Sequence, residues 1–402
     1  MRAVVYRGVN DLRLETVPVP RIGAHELLVK VAVCGVCPTD IKKIQYGTVP
    51  PPRIFGHETA GTIVQIGSQK SGVRSQKLPS TLRTPHSEFR VGDRVALHHH
   101  VPCLDCHFCR HHAFAQCATY KRTGITAGFQ PAGGGYAEYV RVMPFVLPGV
   151  VKIPAKNSFA EGAMLEPVNT ILKAVRRLNL LRGDVVLVAG QGPIGLMFTR
   201  LLQLAGARVL ATDLLASRLR LARKFGAKWT LKVSRSRREE AVTGKSAINL
   251  RLVTSSPTIS NLDAAIIAVP SDAAVQQALQ LVRGGGQVLL FAHTKRTEVR
   301  SPQSTVQSPK SQNHFSFSPQ PSAFSLDLAS ICLDEKDLIG SYSSDFTLQA
   351  EVARLVFSRR LDVRPLITHR FPLEQTAQAV ALAAHPTADS LKILVGDDVR
   401  SL

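Results

Sequence analysis

One stretch limits the fold more than any other: DVVLVAGQGPIGLMFTRLLQLAGARVLATD, from Asp184 to Asp213. DVVLVAG is a short β-branched run, as a buried strand requires, and GLMFTRLLQLAG has helical spacing. ARVLATD reads as a second strand. Between the first strand and the helix, GQGPIG places Gly190, Gly192 and Gly195 in G-x-G-x-x-G order. The order strand, glycine turn, helix, strand and terminal acid is the context in which that motif holds a dinucleotide. Gly190 allows the tight turn, Gly192 lets the main chain approach a pyrophosphate, and Gly195 lets helix and strand pack closely. Pro193 and Ile194 complete the cofactor-binding turn, and the phosphates sit at the positive end of the helix. Asp213 can accept hydrogen bonds from both ribose hydroxyls and would repel a 2′-phosphate, which favours NAD over NADP. Arg218, close by, is the residue that argues the other way. The alternation continues with LDAAIIAVP (strand), SDAAVQQALQLVRGG (helix, stopped by glycine) and GQVLLFAH (strand). An α/β domain with a doubly wound parallel sheet is expected, its nicotinamide site near Val269 and Phe291.

The chain has 402 residues, too many for most single domains, so two are expected. No apolar run reaches bilayer length. The start, MRAVVYRGVNDLRLETV, reads as an alternating strand and lacks the features of a signal peptide, so a cytoplasmic protein is expected. The net charge of +21 raises the question of nucleic acid. The excess gathers in Gln69–Arg90 and Arg223–Arg238, which read as irregular basic loops, while Ser301–Ser322 reads as a flexible Ser/Pro/Gln insertion. Basic and aromatic residues are not interleaved as a stacking surface requires. A nucleic-acid-binding protein would also leave the chemistry-bearing residues below unexplained, so that reading is disfavoured.

Four of the seven cysteines lie in CLDCHFCRHHAFAQC: Cys103, Cys106, Cys109 and Cys117. Thiolates at such short spacings can close around one tetrahedral zinc, leaving no open position, so a structural site is expected. His98, His99, His100, His107, His111 and His112 surround them and are read as a solvent-facing group with no assigned role. A second cysteine pair, in CGVCPTD, is ambiguous: C-x-x-C spacing suits half a zinc site, a redox pair, or one ligand beside an idle cysteine.

A four-cysteine loop followed by a dinucleotide fingerprint resembles the zinc-containing medium-chain dehydrogenase/reductase family, most of all its polyol and threonine dehydrogenase branch. The likeness also rests on CGVCPTD, IFGHETAG (Ile54–Gly61), VGDRVALHHHVPC (Val91–Cys103), GGYAEYV (Gly134–Val140), MLEPVNT (Met164–Thr170) and LIGSY (Leu338–Tyr342). It implies a mostly-β GroES-like zinc catalytic domain from residues 1–160 and 342–402, and a Rossmann NAD-binding domain from 161–341. It implies Cys37 as catalytic-zinc ligand, with Cys34 a small core residue, and His57 as the second ligand. The third is Glu58 or Glu166, since relatives differ. With the cysteine loop this makes two zinc ions per chain.

The implied reaction is hydride transfer from a secondary alcohol, a polyol or an amino alcohol such as L-threonine, to NAD⁺. Zinc acts as a Lewis acid, Thr39 passes the alcohol's proton outward, and Asp40 holds His57 in one tautomer. Simple alcohols or aldehydes are the alternative substrates. Two positions depart from the family pattern: Pro38 offers no donor to cofactor phosphates, and Lys42 stands where the relay often ends in histidine. A homodimer or homotetramer is also implied.

Overall fold

The computed structural model describes residues 1–67, 89–98, 101–122, 133–233, 261–292 and 326–396. Most of the basic stretch Gln69–Arg90, the part of Arg223–Arg238 beyond 233, His99, His100 and the whole Ser301–Ser322 insertion lie outside the described residues. Among the described residues no helix is long and apolar enough to cross a membrane.

Two main sheets organise the chain. The first has six parallel strands in the order Trp229–Lys232, Arg208–Asp213, Val185–Ala189, Leu262–Ile267, Val282–Leu290 and Asp337–Gly340. The chain starts at the centre with Val185–Ala189, moves outward one way, then returns to build the other side. The glycine turn therefore lies at the reversal point, where the carboxyl ends of a doubly wound sheet open a crevice. The second sheet is mainly antiparallel, in the order Ile367–Phe371, Lys392–Val395, Leu27–Gly35, Glu58–Ile66, Arg94–Leu97, Val151–Lys152. Its last strands to be made, from the chain's end, sit directly against one of its first. A small third sheet carries the N-terminus.

Three expectations need correction. The opening segment is a hairpin, Arg2–Gly8 against Asp11–Thr16, and not one strand; Asn10 takes the left-handed conformation (φ 56°) that the turn needs. The basic residues from Arg223 are not irregular throughout: Trp229–Lys232 is an edge strand paired with Leu210–Asp213, because backbone pairing outweighs a charged composition there. The helix beginning at Asp272 ends at Leu281, and Val282 already belongs to the following strand, which tolerates the glycines thought to follow a longer helix.

The two sheets share a continuous core. Val33 and Ala60 from the antiparallel sheet, Leu165 and Ile171 from the helix Leu165–Val175, Val188 from the parallel sheet and Phe198 from the helix Pro193–Leu204 form one buried cluster. That helix is thus the rigid wedge between the two sheets, and the cleft opens along its polar side.

Candidate active site

Strand register assembles the first group of site residues. Gly35 pairs with Glu58 on one side and with Leu394 on the other. The end of one strand thus delivers Cys37, the start of its neighbour delivers His57 and Glu58, and the third brings Lys392. Gly35 is needed here for space: a Cβ would lie 1.8 Å from Glu58 Oε2. Cys37 then caps the helix Pro38–Tyr46, where Pro38 fits the first position because no intrahelical N–H is required of it.

Ligand atoms of Cys37, His57 and Glu58 all lie within 4.8 Å of one another, with His57 and Glu58 buried. Three protein ligands with room for another group is the arrangement of a catalytic zinc. His57 Nδ1 lies 3.0 Å from Asp40 Oδ2, both groups buried, so the carboxylate fixes the ring and leaves Nε2 for a metal. Burial alone would push Asp40's pKa up; the adjacent His57, Lys43 and the Gly56 amide outweigh it and hold the carboxyl below its ordinary value.

Glu166 is not part of that three-residue group. It sits buried in the first turn of the helix Leu165–Val175, where burial pushes its carboxyl up to about 7 and Thr170 Oγ1 donates to it. Glu58 has a partner that sequence reasoning missed. Lys392 Nζ donates to Glu58 Oε1 at 2.6 Å and to the Val36 carbonyl at 3.0 Å, with the lysine itself buried. The available signal was a single lysine inside the apolar run LKILV. Cys34 is fully buried beside Thr59 and Gly135, as expected of a core residue.

The cysteine loop closes on itself. Its sulfurs stand 3.5 Å (Cys106–Cys109), 3.7 Å (Cys103–Cys117) and 3.9 Å (Cys103–Cys109) apart. A tetrahedron with Zn–S bonds of about 2.3 Å has edges of about 3.8 Å, so the four thiols fit that ion. The amides of Cys103 and Cys106 donate to Cys117 and Cys103 sulfurs, which favours thiolates. Among the described histidines of this group, His107, His111 and His112 are exposed as expected, the last two at the cleft, whereas His98 is fully buried.

At the glycine turn, Gly190 takes φ +93°, and a Cβ on Gly195 would strike the Gly190 carbonyl at 1.8 Å. Gly192, by contrast, faces open space, with nothing within 4 Å of a Cβ built there. It caps the helix Pro193–Leu204, so the space lies at the helix's positive end and fits a pyrophosphate. Asp213 closes the turn: Oδ2 accepts from Gln191 N and Oδ1 from Leu215 N, with Arg218 4.0 Å away. Ile194 is half-buried in the same turn.

Between the sheets runs a cleft of about 1380 Å³ that presents Thr39 and Lys42 on one side and Val269 and Phe291 at the strand ends. Burial lowers the pKa of Lys42, against the opposing charge of Cys37.

The chain is similar to known proteins over nearly its whole length. Residues 23–155 match the alcohol dehydrogenase GroES-like domain, and residues 193–356 match the zinc-binding dehydrogenase domain. A sorbitol dehydrogenase of Bombyx mori is 29% identical over 399 residues, covering 98% of this chain and 97% of its own. A zinc-binding dehydrogenase of Sinorhizobium meliloti, solved with NADP, superposes with a TM-score of 0.75 at 25% identity, covering 98% and 99% of the two chains. The 2R,3R-butanediol dehydrogenase of Bacillus subtilis shares the fold, with a TM-score of 0.72 at 22% identity and coverage of 98% and 99%. The chain belongs to the zinc-containing medium-chain dehydrogenase/reductase family of the alcohol dehydrogenase superfamily and is a zinc- and nicotinamide-dependent alcohol oxidoreductase.

Proposed function

We propose that the chain oxidises a secondary alcohol of a polyol or amino alcohol with NAD⁺, giving the ketone, NADH and a proton. The observation that carries this is the convergence of Cys37, His57 and Glu58 beside a cleft that also presents Thr39 and the strand ends Val269 and Phe291. Cys37, His57 and Glu58 would hold the catalytic zinc, with Glu166, which feels the charges of His57 and Glu58, exchanging with Glu58 during turnover. Cys103, Cys106, Cys109 and Cys117 would hold a second, structural ion. Bound zinc supplies Lewis-acid polarisation of the alcohol oxygen, and the nicotinamide accepts the hydride.

The chain's own residues do the rest. Asp40 keeps His57 in one tautomer. Thr39 takes the alcohol's proton into a hydrogen bond, and Lys42 with water carries it to solvent; its lowered pKa brings it nearer the neutral range that proton transfer favours. Asp213 supports NAD over NADP, since a carboxylate at the end of the second strand would repel a 2′-phosphate. Residues 1–160 with 342–402 form the catalytic domain and 161–341 the cofactor domain, in a cytoplasmic homodimer or homotetramer.

The test is NADH formation on a panel of polyols, L-threonine and simple secondary alcohols, with NAD⁺ or NADP⁺, before and after treatment with a strong chelator. Chelator-sensitive turnover of a polyol or amino alcohol with NAD⁺ is expected. A zinc-loaded protein that reduces neither dinucleotide on any of them would refute the proposal.

A further inference from the structure

The cleft's charge is unusual for a site that takes a neutral polyol. The helix Pro38–Tyr46 turns Thr39, Lys42, Lys43 and Tyr46 into it, at spacings that define one helical face. The helix Leu165–Val175 and the turn after it add Lys173, Arg176 and Arg177. Against these five cations the lining, among the described residues, offers two carboxylates, Asp272 and Asp345.

Arg176 is engaged with Glu351 at 2.7 Å. Lys173 and Arg177 are fixed differently. Lys173 Nζ donates to the Tyr342 carbonyl at 2.9 Å, and Arg177 donates to the Gly340 carbonyl. Main-chain carbonyls orient these heads without neutralising them, and of the two cleft carboxylates Asp345 acts on Lys173. Burial lowers the Lys173 pKa, with Asp345 opposing, which marks an ammonium short of solvation. Lysine and arginine donate hydrogen bonds and accept none, whereas a polyol hydroxyl needs both kinds of partner. An acceptor-only anion suits the group better. The cofactor's pyrophosphate does not account for these cations, because its place at Gly192 is not part of the cleft lining; Val269 and Phe291, at the nicotinamide end, are.

We infer that the alcohol oxidised here carries an anionic substituent, a phosphate ester or a carboxylate, gripped by Lys173 and Arg177 with Lys42 and Lys43 adding to the field. This deepens the dehydrogenase reading and rests on it.

A matched set tests it: a hexitol, the same hexitol as its 6-phosphate, and the corresponding aldonate, each with NAD⁺ and NADP⁺ and the zinc-loaded full chain. One charged member should exceed the hexitol in kcat/KM by about tenfold or more, the scale of one hydrogen bond between charged groups. The phosphate and aldonate arms tell which anion it is. Lys173→Gln and Arg177→Gln should each raise KM for that member about tenfold and bring the ratio toward one. Lys224→Gln removes an equal charge from an exposed helix away from the cleft and should leave the ratio unchanged. Arg177→Lys keeps the charge and should keep most of the preference, which covers the case where Arg177→Gln folds poorly. Calorimetry with the hexitol phosphate and the aldonate on the zinc-loaded chain without dinucleotide gives a readout besides activity, and binding should weaken in both glutamine variants. A hexitol turned over as well as its charged partners overturns the inference and leaves the dehydrogenase reading standing. Turnover of none of the three, with either dinucleotide, removes the inference, and the dehydrogenase reading falls only if the wider alcohol panel fails as well.

Discussion

Cys103, Cys106, Cys109 and Cys117 come from one short run of chain, whereas Cys37, His57, Glu58 and Lys392 come from three neighbouring strands and span most of the sequence. The first group is supported by main-chain amides donating to sulfur; the second is supported by side chains, Asp40 behind His57 and Lys392 behind Glu58. A locally built site can be moved, read and predicted as a unit. A site built from strand register depends on the fold for its composition, and each supporting side chain is a separate point of failure.

The largest expected effect separates the two groups by what they do. Cys37→Ser should lower kcat/KM on the order of 10³-fold, since several kcal/mol of charge stabilisation depend on the metal. One zinc equivalent should disappear from the purified protein while amide exchange over the cysteine loop stays slow. Cys109→Ser should also lose one zinc equivalent, but with fast exchange over residues 101–122, because metal binding there is coupled to local folding. Metal analysis with exchange mass spectrometry checks both. If Cys109→Ser left the loop protected, the loop would not depend on a metal at all.

Next in size is Lys392→Met. It would leave the buried Glu58 carboxylate without its ammonium, and breaking a buried pair in this way costs roughly 3–5 kcal/mol. Urea unfolding with and without chelator measures it. The cost should be larger without metal, because a cation at Cys37 and His57 can share Glu58's charge. An equal cost in both states would mean that Glu58 does not turn toward the metal.

This pair also shows what the sequence could and could not disclose. The glycine turn and the cysteine loop were legible because each places all of its parts within a few residues of one another. Cys37 and His57 were legible through family motifs. Lys392 was not, because its role follows from Leu394 pairing with Gly35, and no spacing in the chain announces that contact. The same reason explains Trp229–Lys232, whose composition looked irregular until a partner strand was present. The basic lining of the cleft was written in helical spacing at Lys42, Lys43, Lys173 and Arg177, but only the packing of two distant helices shows that the charges share one space.

Asp40→Asn comes third. Removing the charge behind a histidine ligand while keeping its shape should weaken zinc by about 10–100-fold. Competition with a chelator reads this directly, and the cysteine loop supplies an internal reference in the same molecule, since its support is main-chain and untouched. Equal weakening at both ions would point to a general loss of structure.

The smallest effect tests the scaffold that positions the buried Glu166. Ser158 and Glu161 form a capping box at the helix Phe159–Ala163, the step immediately before the helix Leu165–Val175. Glu161 accepts from Ser158 N at 2.7 Å and Asn157 Nδ2 at 2.9 Å, and pairs with Arg359 at 3.2 Å. Burial pushes its pKa up, but these donors outweigh it and the carboxyl titrates below its ordinary value. A carboxylate depressed in the folded state stabilises the protein above its unfolded pKa, roughly 4.3, and loses that contribution as pH falls through the folded value. Glu161→Gln should therefore cost about 1 kcal/mol at neutral pH, and the difference should shrink below about pH 4 as the parent's own carboxyl is protonated. Denaturant titrations across that range check the convergence. A penalty that stayed constant with pH would assign the effect to packing, and would leave the wedge helix fixed by its apolar core alone.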